Sequence, residues 1–387
     1  MQNFTFWNPT RIVFGQNTIP QIGKETVAFG QKALLVYGRD SVKRSGIFDL
    51  VIKALNDAGV TVVEFGGVRS NPVLSHLREG VALAKLERVD VVVAVGGGSV
   101  IDESKAIAAG ALAEHDVWDF FVDQARVKEA LPLLTVLTLA ATASEMNSGG
   151  VVTNEETRQK FNINSPLLFP KVSILDPTVT FTVPADYTAY AGVDAIAHMI
   201  EAYFTCQDSA IPLQDRLVAG LASTIMEATE QCLTRPDDYQ ARANMMWGAS
   251  LAFNGLTTAG IGPYGFPNHM IEHSLSALYD IAHGAGLSIV IPGWMSYQAQ
   301  RAPARLARFA RQVFGVEAAD DAAAALQGIA ALKGWYERVG SPTSLGAAGI
   351  PAADIDKIAE NAVMLAKKWR LKDYTQEVIA EILQLCK

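Results

Sequence analysis

The chain has 387 residues, half of them hydrophobic, and a net charge of −8 at pH 7. This length is enough for two or three domains with large buried cores. No block of Lys and Arg occurs, which argues against a nucleic-acid-binding protein, because phosphate binding needs clustered cations.

Short β-branched runs alternate with helical patterns over the first ~180 residues. The apolar positions of Gly46–Ala58 share one helical face, and Gly59 is a good helix stop. Asp90–Val95 is apolar after its first residue, as a strand buried on both faces should be. This alternation predicts a parallel, doubly wound sheet, hence an α/β fold. The predicted strands are Ala33–Tyr37, Val60–Val63, Asp90–Val95, Leu133–Leu137 and Val172–Leu175.

A glycine run follows one of these strands and precedes a helix predicted over Val100–Gly110. Gly96, Gly97 and Gly98 let the backbone approach a ligand, and amides at the helix start favour an anion. Asp102 could cap the first turn of that helix. The alternative is a tight strand–helix turn without a ligand.

A second small loop, Thr138–Glu145, also follows a predicted strand and is rich in hydroxyl groups. It could hydrogen-bond phosphate or carboxamide groups, or it could be a capping loop. Ligands of open α/β sheets bind where the strands end, so two such loops on successive strands favour a nucleotide site.

The pattern changes after Pro184, where helical periodicity dominates and no strand is predicted. We therefore expect a dinucleotide-binding α/β domain over residues 1–183 and an all-helical metal-binding domain over 184–387, with ligands in the cleft between them. The predicted helices cover about 185–206, 209–232, 238–255, 267–279, 285–312, 320–338 and, in pieces, 352–385.

The helical half contains two short histidine patches. Asp194 and His198 stand at i and i+4 on one helix face, and His269 and His273 repeat that spacing, with His283 ten residues later. One carboxylate with neutral imidazoles is a normal set of ligands for a divalent metal ion. The alternative is a group of capping or core-edge histidines. His76 and His115 stand alone in polar surroundings and are expected at the surface.

These residues resemble the iron-containing (group III) alcohol dehydrogenases. Gly192–His198 is similar to that family's G-x-D-A-x-x-H signature, and His269–Gly284 is similar to its second histidine signature. Ser70–Pro72, Gly96–Asp102 and the opening strand within Phe4–Gly15 also sit where the family has them. The resemblance spans nearly the whole chain and is strongest to the NADPH-dependent butanol dehydrogenase or broad aldehyde reductase branch.

The resemblance implies a dehydroquinate synthase-like architecture with one metal site and one dinucleotide site. It implies that the metal ligands are Asp194, His198, His269 and His283, with His273 beside the metal as a candidate proton relay or a space-filling residue. It also implies a homodimer assembled partly through the amino-terminal segment. The cofactor-binding residues are then Asn71, Gly97, Gly98, Ser99, Asp102, Thr138, Thr142, Lys160 and Val179.

The segment after the first strand bears on the choice between NADP and NAD. NAD selectivity usually requires a carboxylate that accepts a hydrogen bond from the ribose 2′-hydroxyl. Here Gly38 leaves space for a 2′-phosphate, and Ser41 with nearby cations could bind it. Asp40 is the counter-argument, since an inward carboxylate would favour NAD. The expectation is NADP(H), held by Gly38 and Ser41.

Three cysteines, with no CxxC pair, argue against a disulfide scaffold and against a cysteine zinc site. The first residues lack a basic region followed by an apolar run, and no apolar segment reaches the ~20 residues of a membrane span. We therefore expect a cytoplasmic protein.

The expected activity is hydride transfer between NADP(H) and a small aldehyde or primary alcohol, with Fe²⁺ or another divalent metal such as Zn²⁺ acting on the substrate oxygen. One alternative is a dehydroquinate synthase-like lyase, whose phosphorylated substrate needs cationic side chains. Residues 187–205 and 254–288 contain no Lys or Arg, which disfavours it. The other alternative is an inert nucleotide- or metal-binding protein.

Overall fold

The computed structural model describes residues 1–208 and 211–387, which form two compact units. We call Trp7–Val183 with Pro236–Ser250 the α/β unit. We call Met1–Phe6, Pro184–Arg235 and Leu251–Lys387 the helical unit. The predicted fold class, an α/β region followed by a helical region, is confirmed.

The α/β unit is built on a six-stranded, all-parallel sheet and a two-stranded hairpin. Its strands are β1 (Arg11–Phe14), β2 (Lys32–Tyr37), β3 (Thr61–Gly66), β4 (Val91–Gly97), β5 (Leu133–Leu139), β6 (Gly149–Asn154), β7 (Gln159–Asn164) and β8 (Val172–Leu175). Its helices are α1 (Gln21–Val27), α2 (Ser41–Arg44), α3 (Ile47–Asp57), α4 (Leu74–Glu87) and α5 (Gly98–Gly110), together with most of α8 (Tyr239–Ala252).

The strand order of the sheet is β1-β8-β5-β4-β2-β3. The central strand β4 is buried from Val91 to Val95, which explains its uninterrupted apolar run. Since all six strands are parallel, their carboxyl ends lie at one edge of the sheet. The glycine run and the Thr138–Glu145 loop both begin at that edge, as the sequence predicted.

The hairpin of β6 and β7 is an element that the sequence reasoning missed. Phe161 and Ile163 alternate with Lys160 and Asn162, and this period of two is the signal that could have revealed it. The strands pair antiparallel, with Gly149 opposite Asn164.

The helical unit contains only helices as regular elements within its described residues. The predicted helix over 285–312 is divided in two, because Ala302 precedes a proline and adopts φ −149° instead of a helical angle. The start of the helix predicted over 209–232 lies outside the described residues. The helices are α6 (Ala185–Thr205), α7 (Pro212–Thr234), α9 (Pro267–Tyr279), α10 (His283–Ala299), α11 (Pro303–Phe314), α12 (Asp321–Arg338), α13 (Ile355–Lys368) and α14 (Gln376–Gln384).

Membrane insertion of these helices can be judged from their length and apolarity. Across residues 1–208 and 211–387, no helix combines the length and the apolar character that a bilayer crossing requires.

Candidate functional site

Helix α6 carries the first pair of candidate ligands in its buried middle. Asp194 and His198 are 3% and 6% exposed, and Nδ1 of His198 lies 3.3 Å from Oδ1 of Asp194. The same Nδ1 donates to the backbone carbonyl of Asp194 at 2.9 Å. That hydrogen bond fixes the proton on Nδ1, so Nε2 is the ring nitrogen left able to ligate a metal ion.

Helix α9 adds His269 to this pair. Its Nε2 lies 3.9 Å from Oδ1 of Asp194, and its ring centroid is 4.6 Å from that of His198. Its Nδ1 hydrogen-bonds the carboxylate of Glu201, a fully buried residue of α6. As with His198, the ring is held through Nδ1, but in His269 it is Nε2 that faces the carboxylate of Asp194.

Helix α10 begins with His283, whose Nε2 lies 3.6 Å from the same oxygen of Asp194. Its Nδ1 hydrogen-bonds Glu272, another fully buried carboxylate. The close approach of α10 to α6 depends on Gly284, because a Cβ there would lie 2.1 Å from the carbonyl oxygen of Tyr190. The glycine that follows the last histidine is therefore a packing requirement.

The donor set fits a divalent metal ion. Ligand atoms of Asp194, His198 and His269 all lie within 4.8 Å of one another. Nε2 of His269 is buried and has no hydrogen-bond partner among the described residues, although a buried ring nitrogen is normally paired. A metal ion bound there would satisfy it. Oxygen and imidazole ligands suit Fe²⁺, Zn²⁺ and related ions.

The protonation of these rings reflects their surroundings. Burial, followed by the nearby charges of His269 and His283, lowers the pKa of His198 well below its usual value. Burial also acts to lower the pKa of His269, but the charge and hydrogen bond of Glu201 outweigh it and raise that pKa. A proton and a metal ion therefore compete more directly at His269 than at His198.

His273 lies beside this group and is 4% exposed. Its ring centroid is 5.6 Å from that of His283 and 5.5 Å from that of Trp369. Phe253 stacks on His198 with centroids 4.5 Å apart, and Phe266 meets His269 edge-on. Aromatic side chains thus line part of the histidine group, which suits an apolar substrate chain.

At the sheet edge of the α/β unit, the glycine run packs closely against side chains of neighbouring residues. Helix α5 begins at Gly98, where a Cβ would lie 2.3 Å from Oγ1 of Thr142. Gly97 is the residue before the helix, and Ser99 hydrogen-bonds the carbonyl of Ser70. The two loops predicted to bind a nucleotide are therefore in contact with each other.

One sequence prediction about this loop is wrong: Asp102 does not cap the first turn of α5. The helix begins two residues earlier than predicted, so Asp102 lies beyond the unpaired amides of the first turn. Its carboxylate instead accepts hydrogen bonds from Oγ of Ser144 at 2.5 Å and from the amide of Val151 at 3.0 Å. Burial raises the pKa of Asp102.

Lys105, one turn further along α5, is fully buried and was not singled out from the sequence. Its amine donates to Oγ of Ser144, Oδ1 of Asn147 and the carbonyl of Gly149 at 2.6–2.9 Å. Burial lowers the pKa of Lys105 to about 8. The three bonds tie the segment between β5 and β6 to helix α5.

The remaining predicted cofactor residues lie at or near strand ends. Nζ of Lys160 on β7 donates to Oδ1 of Asn71 at 3.1 Å, with both side chains buried. Thr138, the penultimate residue of β5, is half-buried, and Val179 packs against the apolar core of the sheet. Ser41 is exposed at the start of α2.

Gly38 follows β2, and the space around it was the basis of the cofactor prediction. A Cβ at Gly38 would meet nothing closer than 3.7 Å, so the position is open. The amine of Lys43, however, lies 3.4 Å from Glu64 and over the ring of Tyr37. One of the cations near Gly38 is therefore partly neutralised by this carboxylate.

His76 is not a surface residue as predicted, although His115 is exposed. Nδ1 of His76 lies 2.5 Å from Oε1 of the buried Glu103, and its ring stacks on Phe65. Helices α4 and α5 pack together and bring this pair into contact. The packing could not be read from a lone histidine in polar sequence.

Comparison with known proteins gives a consistent result for both units. Residues 9–177 match the family described as iron-containing alcohol dehydrogenase, and residues 188–387 match the carboxy-terminal domain of the Fe-containing alcohol dehydrogenase family. "Probable NADH-dependent butanol dehydrogenase 1" of Bacillus subtilis (strain 168) is 43% identical, covering 99% of each chain. "NADPH-dependent aldehyde reductase YqhD" of Escherichia coli (strain K12) is 36% identical, covering 92% of this chain and 91% of the relative.

Among solved structures, NADH-dependent butanol dehydrogenase A from Thermotoga maritima superposes with a TM-score of 0.96. The two sequences are 46% identical, and the match covers 100% of this chain and 99% of the other.

Proposed function

Because the chain belongs to the iron-containing alcohol dehydrogenase family, we propose that one divalent metal ion and NADP(H) serve its conversion of small aldehydes and primary alcohols. The protein is an alcohol dehydrogenase or aldehyde reductase, and a metal ion and a nicotinamide cofactor belong to that chemistry. The proposed metal ligands are Asp194, His198, His269 and His283. The observation that carries this proposal is that His198, His269 and His283 surround one oxygen of Asp194, with a ring nitrogen of each 3.3–3.9 Å from it.

The side chains have separate tasks in the proposed reaction. When bound, the metal supplies Lewis acidity toward the substrate oxygen, and the nicotinamide supplies or accepts the hydride. Asp194 offsets part of the positive charge with its carboxylate. His273, buried beside His283, is proposed to hold or accept the proton of the substrate hydroxyl. Phe253 and Phe266 exclude water and favour an apolar aldehyde.

The α/β unit is proposed to bind the dinucleotide at its sheet edge. The supporting features are the tight Gly97–Gly98 turn, the buried Asn71–Lys160 pair and the loop that Lys105 fastens. Residues 1–183 and 184–387 remain the proposed domain division, although Met1–Phe6 belongs to the helical unit and Pro236–Ser250 to the α/β unit. The further proposed contacts are Gly38, Ser41, Ser99, Asp102, Thr138, Thr142 and Val179.

NADP(H) is the proposed form of the cofactor, and two observations bear on it in opposite directions. The open space at Gly38 and the exposed Ser41, Arg39 and Arg44 support a 2′-phosphate pocket. The contact of Lys43 with Glu64 withdraws one cation from that pocket. The names of the relatives also differ: several are called NADH-dependent, and others are called NADPH- or NADP-dependent.

The cofactor proposal is tested by kcat/KM for NADPH and NADH with butanal. We expect NADPH to be preferred, and Gly38→Asp to reverse the preference, because the new carboxylate repels the 2′-phosphate and accepts a ribose hydroxyl. A preference for NADH in the unaltered chain would overturn the proposal.

The metal proposal is tested by metal analysis of freshly purified protein together with the same assay. We expect close to one divalent ion per chain, loss of butanal reduction after chelation, and recovery when Fe²⁺ or Zn²⁺ is added. Full activity in protein stripped of metal would overturn the proposal.

We also propose a cytoplasmic homodimer. The support is a set of large apolar side chains exposed near the amino end, including Phe4 and Phe6 in the helical unit and Trp7 and Phe14 in the α/β unit. Strand β1, at the edge of the sheet, is also available for pairing. Light scattering coupled to size exclusion should give twice the mass of 41.5 kDa; a single-chain mass would overturn this proposal.

A further inference from the structure

Two buried carboxylates that have no place in the proposed ligand set, Glu201 and Glu272, contact the candidate ligand histidines. Both are essentially inaccessible to solvent, at 1% and 0% exposure. Burying a carboxylate without partners costs several kcal/mol, so such groups are kept only where close partners stabilise them. Their partners therefore indicate what they do.

Glu201 links helix α6 to the start of helix α9. One carboxylate oxygen accepts the backbone amide of Asn268, and the other hydrogen-bonds Nδ1 of His269. The first amides of a helix have no partner within it, so this carboxylate also caps α9. A single side chain thereby fixes both the backbone and the ring of His269.

Glu272 makes the next link, from α9 to α10. Its Oε2 hydrogen-bonds Nδ1 of His283, and its Oε1 accepts from Oγ of Ser276 at 2.5 Å. Gly286 makes room for this carboxylate, because a Cβ there would lie 2.7 Å from Oε1. Both oxygens of Glu272 are thus engaged, which separates its role from that of Asp194.

A repeated tetrapeptide underlies both links. The sequence His-Met-Ile-Glu occurs at 198–201 and again at 269–272. In each copy the histidine is a candidate ligand. The glutamate of each copy hydrogen-bonds a candidate histidine on another helix: Glu201 on α6 bonds His269 on α9, and Glu272 on α9 bonds His283 on α10. The two copies thereby connect the three helices that carry the site.

We propose that Glu201 and Glu272 are the positioning residues of the metal site, fixing the tautomers of His269 and His283 so that Nε2 of each ring is directed to the metal. The proposal rests on the proposed metal ligands. Carboxylates in this role orient the ring and make it a more basic ligand, and their loss typically lowers metal affinity about 10–100-fold.

Glu201→Gln and Glu272→Gln, which replace each carboxylate with an amide of the same shape, should weaken metal binding to different degrees. A glutamine at 272 can accept from Nδ1 of His283 with its oxygen and donate to Oγ of Ser276 with its nitrogen. A glutamine at 201 cannot satisfy its surroundings, because both carboxylate oxygens face donors and the amide nitrogen would meet one of them. Glu201→Gln should therefore weaken metal binding more than Glu272→Gln, and should also destabilise the metal-free chain.

The test is the affinity of the full, metal-stripped chain for Co²⁺, measured by competition with a chromogenic chelator, together with the Co²⁺ absorption spectrum and the Tm of the metal-free protein. We expect Glu272→Gln to lower the affinity about 10-fold with little change in Tm. For Glu201→Gln we expect the affinity for Co²⁺ to fall about 100-fold. We also expect an altered Co²⁺ absorption spectrum and a lower Tm of the metal-free protein.

The matched control is Glu103→Gln, which removes a buried carboxylate bound to a histidine in the α/β unit. Its Co²⁺ affinity should equal that of the unaltered chain. If the unaltered chain binds Co²⁺ and both glutamine variants bind it equally well, this inference alone is overturned. If Glu272→Gln instead abolishes a second bound ion, Glu272 is a ligand and the inference is also overturned. An unaltered chain that binds no metal overturns the proposed function and this inference with it.

Discussion

The two units differ in how completely their ionisable side chains are hydrogen-bonded. In the α/β unit, both ring nitrogens of His76 are engaged, by Glu103 and by the carbonyl of Gly66, and the amine of Lys105 makes three hydrogen bonds. In the helical unit, the same pairing of a carboxylate with a histidine leaves Nε2 of His269 without a hydrogen-bond partner among the described residues.

The difference shows what separates a structural charge pair from a ligand site. A carboxylate beside a histidine is present in both units and does not by itself indicate a metal. The informative feature is the second ring nitrogen: where the fold satisfies it, the pair stabilises packing, and where the fold leaves it to a shared oxygen, the pair can bind a cation. Variants in each unit can test this distinction.

The largest effect is expected for His283→Ala. The variant removes one candidate ligand, so most bound metal should be lost. Turnover should fall on the order of 10³-fold, since Lewis-acid assistance is worth several kcal/mol. Metal content and kcat with butanal measure both effects. His115→Ala, in an exposed histidine of the α/β unit, is the control and should leave both unchanged. Full metal content in His283→Ala would remove this histidine from the ligand set.

The second-largest effect on turnover is expected for His273→Ala. His273 lies in the helical unit but is not one of the proposed metal ligands. The protein should keep its metal and lose about 10²-fold in kcat, because general acid–base catalysis typically contributes this much. The dependence of kcat on pH should change in shape. Unchanged kcat and pH profile would favour a space-filling residue, and loss of metal would make His273 the ligand in place of His269.

A smaller effect, confined to the α/β unit, is expected for Lys105→Met. The substitution leaves Ser144, Asn147 and the carbonyl of Gly149 without their donor. It should lower the free energy of unfolding by about 2–4 kcal/mol, since hydrogen bonds from charged groups are worth about 1.5–3 kcal/mol each. Metal content should stay the same, while the Kd for NADPH rises because the loop after β5 loosens. Lys85→Met, whose lysine makes a single exposed hydrogen bond, is the control, and an equal loss of stability there would contradict this account.

The smallest effect is expected in the α/β unit, where the His76–Glu103 pair should make the free energy of unfolding depend on pH. The hydrogen bond that His76 donates to Glu103 raises the pKa of His76 above 6.5 against the effect of burial, and burial raises the pKa of Glu103. Because both pKa values are higher in the folded chain, the folded chain binds these protons more tightly than the unfolded chain does. The contribution of the pair to the free energy of unfolding is therefore complete at low pH and falls as the pH rises through the raised pKa values.

Replacing Glu103 with Gln should therefore lower the free energy of unfolding by about 1–2 kcal/mol at pH 6 and by less at pH 9. Urea unfolding at the two pH values measures the difference. A larger loss at pH 9 than at pH 6 would show that the sign of this linkage is wrong.

Local patterns in the sequence were enough to predict much of the molecule. The apolar run of Val91–Val95 gave the central strand, and the spacing of Asp194 with His198 and of His269 with His273 placed these side chains on single helix faces. These predictions depend on residues within one or two turns, where geometry is fixed by the element itself.

What the sequence reasoning missed depends on contacts between distant segments. Glu201 was overlooked because its partner, His269, is 68 residues away, and Glu103 because His76 is 27 residues away. Asp102 was misassigned because the helix starts at Gly98, where contact with Thr142 shapes the turn. The repeated His-Met-Ile-Glu was visible, but its meaning depends on which helices are neighbours.

The separation of 68 residues between Glu201 and His269 also determines when the site can form as the chain folds. Contacts this far apart in sequence form only after the intervening chain has closed at a cost in entropy, so we expect them to form later than the local contacts within α6 and α9. On this expectation the histidines and carboxylates come together only when the helices dock, and the proposed ion would bind a nearly native chain. Chain synthesised without metal should accordingly fold first and accept its ion afterwards, without needing to unfold again.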